Sequence, residues 1–389
     1  MNNSIKYAAL AVFVGTIATP AMADKAETKG GLVVKTEDGR FEFKLGGRIH
    51  FDGNFYNDED DFDSPTNSTT FFRRARLSLE GKAYGWSYKF EEDFVEAGNA
   101  GFREMWIGSK AFDQNFRIGQ AKPYRGMEEL TSSNEIVFME RPFATASGIY
   151  QQFRQGVFVD NAMGNFGYGV SVYNQRNAAS ASTEAVGYNG RAYFAAINTD
   201  TTTLHIGASA SVDGNNGNTQ DLRARPRVLG RDGGLRPVIV GAFPGSVSNI
   251  DKQTTYALEL AGKAGPFYAQ GEYAESGYDL AGGTDEDVST YYVQTSYMLT
   301  GEVKPYDVKK GVFKSPKPAG ANGAVELKAR YDFIKNDDSD AEGKQWLLGV
   351  NYYVNPNVRF MVEYGDGTQE LAGTELSGSI IQTRAQFSF

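Results

Sequence analysis

The chain has 389 residues, no cysteine and a formal charge of −9 at pH 7. These facts exclude a disulfide scaffold, thiol catalysis and Cys-based metal sites, and so acidic a balance argues against a nucleic-acid partner. No apolar run reaches the roughly 20 residues that a membrane-crossing helix needs, while 45 glycines, 26 phenylalanines and 22 tyrosines suit strands, tight turns and aromatic girdles.

In chain order the first element reads as an export signal. Lys6 supplies positive charge, Ala8–Thr19 is an apolar run and Ala21-Met22-Ala23 is an A-x-A cleavage site. The expected mature chain therefore starts at Asp24, and 24–389 forms one barrel domain. Period-two alternation then recurs over Phe41–Tyr56, Thr69–Tyr84, Trp86–Phe94, Gly101–Lys110, Phe116–Pro123, Gly156–Asn161, Phe166–Gln175 and Tyr188–Ile197. It continues over Thr203–Val212, Thr254–Ala264, Phe267–Gly277, Thr290–Leu299, Ala324–Asn336, Gln345–Val354, Val358–Gly365 and Gly378–Phe389. The last segment runs off the end of the chain, with Ile381, Thr383, Ala385, Phe387 and Phe389 on one side and Gln382, Arg384, Gln386 and Ser388 on the other. An apolar row opposite a polar row, in about sixteen segments, predicts an all-β fold, a transmembrane antiparallel β-barrel with lipid outside and water inside.

The connections alternate in kind. Gly85, Phe112–Asn115, Met163–Asn165, Asn198–Thr202, Gly265-Pro266 and Asn355–Asn357 are tight. Asn57–Ser68, Tyr124–Arg154, Arg176–Gly187, Asp213–Gln253, Asp279–Ser289, Asp337–Lys344 and Asp366–Leu376 are long and polar. That is the expectation for short periplasmic turns and long extracellular loops. Thr300–Gly323 is long, yet parity puts it on the periplasmic side, against the rule. An arginine facing lipid at mid-bilayer costs roughly 2–4 kcal/mol. So Arg76, Ser78, Glu80 and Lys82 are expected in the lumen with Leu77 and Leu79 outward, and Glu326, Lys328, Arg330 and Asp332 likewise inward, in a wet lumen.

Catalytic signals are sparse. His50 and His205 are the only histidines, and there is no G-x-S-x-G, P-loop or H-E-x-x-H. His50 alternates with Arg48 and Asp52 and reads as a lumen residue. The acidic run 57–63 lacks the glycine of a calcium loop and reads as a solvated tip, with lipopolysaccharide bridging as the functional alternative. No cofactor and no metal is called for. Arginine clustering is the clearer signal. Phe71-Phe-Arg-Arg-Ala-Arg76 opens the second strand, and the long loop carries Arg223, Arg225 and Arg227 at a spacing of two. An extended segment points all three the same way, and Pro226 argues against a helix. Guanidinium matches carboxylate and phosphate oxygens bidentately. Either the three sit on a salt-screened tip, or they form a ladder of donors in a loop folded inward, as in anion-selective pores.

Lys29-Gly-Gly-Leu-Val-Val, Phe43-Lys-Leu-Gly-Gly-Arg48, Phe72-Arg-Arg-Ala75, Thr131-Ser-Ser133, Arg223-x-Arg-Pro-Arg227 and Leu299-Thr-Gly-Glu302 occur in that order. Together they resemble the phosphate- and polyphosphate-selective porins of Gram-negative outer membranes. The resemblance implies a homotrimer with one pore per subunit, a third extracellular loop folded inward at Tyr124–Arg154, and an arginine ladder at Arg73, Arg74, Arg223, Arg225, Arg227 and Arg231. It also implies a lysine-rich periplasmic side at Lys25, Lys29, Lys35 and Lys44.

This chain departs from the pattern near the narrow point. Phe102-Arg-Glu104 stands where such porins carry Phe-Asp-Glu, and Glu129 stands where they carry a lysine before the Thr-Ser-Ser stretch. Lys122 replaces a tyrosine, and Arg76 replaces an aromatic. The expectation is a reversed ion pair between Arg103 and Glu129, with Arg76 and Lys122 adding to a basic wall. The function expected is passive uptake of small anions, phosphate or polyphosphate first, in contact with outer-membrane lipid and lipopolysaccharide. A general diffusion porin with weak ion selectivity is the alternative, and a barrel enzyme or adhesin is a third reading.

Overall fold

The computed structural model describes residues 23–28, 31–57, 68–96, 101–176, 184–215, 222–231, 235–241 and 250–389. The expected export signal up to residue 22, Lys29, and 58–63 of the acidic run lie outside the described residues. The strands are β1 (Ala23–Thr28), β2 (Leu32–Thr36), β3 (Phe41–Asn57), β4 (Thr69–Ala83), β5 (Trp86–Asp93), β6 (Phe102–Ala111), β7 (Gln114–Ala121), β8 (Arg154–Met163), β9 (Phe166–Asn174) and β10 (Val186–Asn198). After them come β11 (Thr202–Gly214), β12 (Ile250–Ala264), β13 (Phe267–Leu280), β14 (Asp285–Met298), β15 (Tyr306–Asp307), β16 (Val312–Phe313), β17 (Ala324–Asn336), β18 (Glu342–Tyr353), β19 (Val358–Leu371) and β20 (Thr374–Ser388).

From β3 to β14 and from β17 to β20 each strand pairs antiparallel with the next, β14 pairs with β17, and β20 pairs back onto β3. The result is a closed barrel of sixteen strands. Closure satisfies every strand edge, which lipid cannot do. β1 and β2 form a hairpin that continues the sheet beside Leu45 to Glu42 of β3, beyond the stretch covered by β20. The alternation falls as lipid requires. Leu77, Leu79, Ile381, Phe387 and Phe389 are exposed on the outside, while Gln382, Arg384 and Gln386 are buried inside. At Tyr84–Gly85 and Phe112–Asp113 both turn residues have positive φ (48°, 84°, 51° and 61°), the geometry that matches the twist of two-residue hairpins.

Two connections that read as loops are protruding hairpins instead. β13 and β14 pair out to Asp279↔Asp285, and β19 and β20 out to Leu371↔Thr374. Outside the bilayer the apolar row is no longer needed, so polar residues carry the ladder onward and the alternation signal fades before the strand does.

The lumen is filled from both ends. The loop 122–153 folds inward, with short helical turns α1 (Met127–Leu130) and α2 (Phe143–Ala146). The far wall grips it by its carbonyls. Arg359 donates to Ile136 O (3.0 Å), Lys328 to Val137 O (3.0 Å), Arg384 to Met139 O (2.7 Å) and Arg330 to Glu140 O (2.7 Å). Glu326, Lys328, Arg330 and Asp332 do face inward, but they are buried. The expected wetness is wrong for this wall, because the loop packs over it.

The segment 300–323 enters from the periplasmic end, which accounts for its length. Lys304 pairs with Glu326 at 2.8 Å. Arg191 donates to Lys310 O and Gly311 O (2.9 and 2.8 Å), and Tyr193 to Val308 O (2.9 Å). Phe313 packs edge-on against Tyr268. The two intruding segments touch where Ser315 N donates to Glu135 Oε2 at 2.5 Å.

Candidate functional site

What these segments leave open is a cavity of about 1120 Å³ bounded by β3–β10, the inward loop, residues 223–231 and Arg236. Among the described residues that line it, twenty are Lys or Arg and six are Asp or Glu. A chain of net charge −9 thus concentrates positive charge along one internal surface.

Arg73, Arg74, Arg76, Arg103, Lys122, Arg223, Arg225, Arg227 and Arg231 all line this cavity. Arg73 and Arg74 are adjacent, so regular alternation would send one to lipid. A break in register at His50/Phe51 opposite them gives β4 an extra residue, and such a bulge turns both side chains inward. Arg73 then forms a two-pronged pair with Glu140 (2.5 and 2.9 Å). Arg74 Nη1 lies 3.4 Å from Nδ1 of the buried His50.

The ladder segment is extended. Leu222, Ala224 and Val228 are buried against the wall, and Arg223, Arg225 and Arg227 are half-buried on the cavity side. Two isolated bridges, Ala224↔Val240 and Val228↔Leu235, double the segment back on itself. Arg225 N donates to Ser147 O (2.9 Å), and Leu229 N to the Gln345 side chain (2.8 Å). Leu229 and Gly230, both at positive φ, turn the chain toward Arg231. Arg227 has no hydrogen bond or ion pair among the described residues. Burial, then the neighbouring Arg231, press its guanidinium down to about 10, which leaves it charged at neutral pH.

The opposite wall is compensated. Arg76 binds Asp93 (2.8 Å) and Glu91 (3.0 Å), and Arg48 binds Glu91 (2.9 Å) and the Ser133 hydroxyl (2.9 Å). The expected Arg103–Glu129 pair does not form. Glu129 lies on α1, fully buried and off the cavity, where Lys122 reaches it at 2.8 Å and Arg141 at 3.9 Å. Arg103 has nearer acids, Asp93 at 3.6 Å and Glu96 at 3.2 Å. Burial, then Arg141, push the Lys122 ammonium down to about 8, with Glu129 opposing. Of the lysines expected on the periplasmic side, Lys35 and Lys44 stand near the start of β3, close to the β4–β5 turn, and do not themselves line the cavity. Lys35 pairs with Glu42 (3.2 Å) and Lys44 with the cavity-lining Glu80 (3.8 Å), and Lys25 falls on β1. Lys82, Lys89, Lys110, Lys309 and Lys310 line the cavity at that end. The acids Glu91, Asp93 and Glu96 escaped the sequence reading. Their signal is that Glu91 and Asp93 stand two apart on β5, across from the Arg76 stretch of β4.

A closed sixteen-strand barrel with a constricting loop and a lumen open along one wall defines an outer-membrane porin. The sequence matches the family described as phosphate-selective porin O and P over residues 43–389. The chain belongs to that family, and its place is the outer membrane of a Gram-negative cell. Porin O of Pseudomonas aeruginosa is 30% identical, with 90% of this chain and 89% of that protein covered. An uncharacterized protein of Caulobacter vibrioides is 26% identical over 75% of this chain and 62% of its own length. Among solved structures, the anion-selective porin from Comamonas acidovorans superposes with a TM-score of 0.56 at 14% identity, covering 90% of this chain and all of that one. Outer-membrane expressed OmpT of Vibrio cholerae gives 0.58 at 12% identity, covering 92% and 100%.

Proposed function

We propose that the protein is a water-filled, anion-selective channel for passive uptake of small anions, inorganic phosphate foremost, and that it catalyses no reaction. The observation that carries this reading is the excess of lysine and arginine over acids along the cavity of an acidic chain. A low-dielectric wall focuses that field and concentrates anions in the passage. Arg223, Arg225 and Arg227 form the outer part of the anion path with Arg73, Arg74 and Arg231, and Arg76, Arg103 and Lys122 continue it inward. Glu129 acts as the counter-ion that seats Lys122.

The working form is a homotrimer in contact with lipid and lipopolysaccharide, with 1–23 removed on export. A trimer form is described for OmpT of Vibrio cholerae, and the family name carries phosphate selectivity. The test is single-channel recording in asymmetric potassium chloride. A reversal potential set by chloride is expected, with chloride conductance falling saturably as phosphate is added. A reversal potential set by potassium refutes the reading, and inhibition that never saturates reduces the protein to a general diffusion pore.

A further inference from the structure

Glu96 stands where the barrel wall meets the ladder segment. A turn at the end of β5 fixes its backbone, with Glu96 N donating to Asp93 O at 3.2 Å. Its Oε1 accepts a hydrogen bond from Arg231 Nη2 at 3.0 Å and lies 3.2 Å from Arg103 Nη2. Arg103 belongs to wall strand β6 and Arg231 to the inward segment, and all three side chains line the cavity. One carboxylate oxygen is therefore shared by two guanidiniums that reach it from different elements.

A small oxyanion in the passage would be held in the same way, because guanidinium donors match carboxylate and phosphate oxygens alike. Other acids do not fill this place. Asp93 is engaged by Arg76 at 2.8 Å and stays 3.6 Å from Arg103. Arg103 Nε is buried without a partner, so its demand for acceptors is not met by the wall alone. We propose that Arg103 and Arg231 form an oxyanion site in which Glu96 is the resident counter-ion, and that Glu96 competes with the permeating anion for it. This rests on reading the passage as an anion channel. The carboxylate brings one charge and no tetrahedral reach, so a phosphate dianion displaces it more readily than chloride does. Glu96 is then a specificity-determining residue, one that lowers occupancy by weak anions.

The experiment uses the full-length channel in planar bilayers and reads the inorganic phosphate concentration that halves chloride conductance. Glu96→Gln keeps the size of the side chain and removes its charge, and should lower that concentration roughly three- to tenfold. Glu96→Asp keeps the charge and should stay near wild type. Arg231→Ala should weaken inhibition more in the Glu96→Gln background than alone, because only there is the guanidinium free for phosphate. If the wild type is anion-selective and phosphate-inhibited but Glu96→Gln leaves the half-inhibiting concentration unchanged or raises it, Glu96 only fastens the segment and the site is overturned. A cation-selective wild type would overturn the channel reading, and this site with it.

Discussion

The two sides of the lumen carry charges of the same kinds and put them to different uses. On β17–β20, Lys328 pairs with Glu363 (2.5 Å), Arg330 with Asp332 (2.8 Å) and Arg384 with Asp52 on β3 (2.7 Å), and each also holds a loop carbonyl. These groups are buried and anchor the constriction loop. On the β3–β10 side and along 222–231, guanidiniums border open space, and Arg227 has no partner among the described residues. The difference teaches that an inward-facing charge is not by itself a pore charge. Burial under the loop decides whether it serves as a fastening or as part of the path.

The comparison can be broken first by attacking the anchoring wall. Arg384→Ala leaves Asp52 buried without its partner, and breaking such a pair costs about 3–5 kcal/mol. The expected outcome is a clear drop in the thermal midpoint of the detergent-purified barrel, with faster proteolysis of the loop. Arg227→Ala should stay within about 0.5 kcal/mol of wild type. Equal losses in the two variants would erase the distinction.

The next effect is on transport. Replacing Arg223, Arg225 and Arg227 together by Ala should cut the anion-to-cation permeability ratio on the order of tenfold. The loss should persist at high salt, where a rim charge would be screened. Bi-ionic reversal potentials at low and high ionic strength decide it.

A smaller effect follows from Lys122. Burial, then Arg141, hold its ammonium near 8, below the usual lysine range. It is charged below that pH and neutral above it, so raising pH from 7 to 9 strips a positive charge from the passage and leaves Glu129 with only the more distant Arg141 as cation. Anion conductance should fall over that interval, and Lys122→Arg should abolish the fall. The smallest effect belongs to the inner mouth. Lys309→Ala with Lys310→Ala should lower conductance modestly at low salt and not at high salt, since exposed charges act through a field that a Debye length of about 8 Å truncates at physiological salt.

Much of this was legible in the residues. Alternation located all sixteen barrel strands, and the two-residue spacing of Arg223, Arg225 and Arg227 marked an extended segment with one basic face. What the sequence hides is partnership. Arg330 and Arg76 look alike in their strands, yet one lies under the loop and the other borders the cavity, and only the path of 122–153 separates them. The Arg103–Glu129 pairing failed for the same reason. The partners of Arg103 come from the end of β5, through a turn whose geometry no local pattern announces. Arg73 and Arg74 both face inward because of a bulge, which period-two counting does not foresee.

The carbonyl grip has a consequence for the order of assembly. Residues 136–140 are held by Lys328, Arg330, Arg359 and Arg384, separated from them in sequence by between 190 and 245 positions. The loop emerges early and waits for the last strands of the chain. Contacts so distant in sequence form late, because the intervening chain must first be ordered. The seam that closes the ring spans still more of the chain, with Arg384 and Asp52 332 positions apart, and a chain stopped short of β20 would lack both that seam to β3 and the Arg384 hold on the loop. Selectivity thus rests on the final strand of the chain, because the same segment that seals the barrel also holds its filter in place.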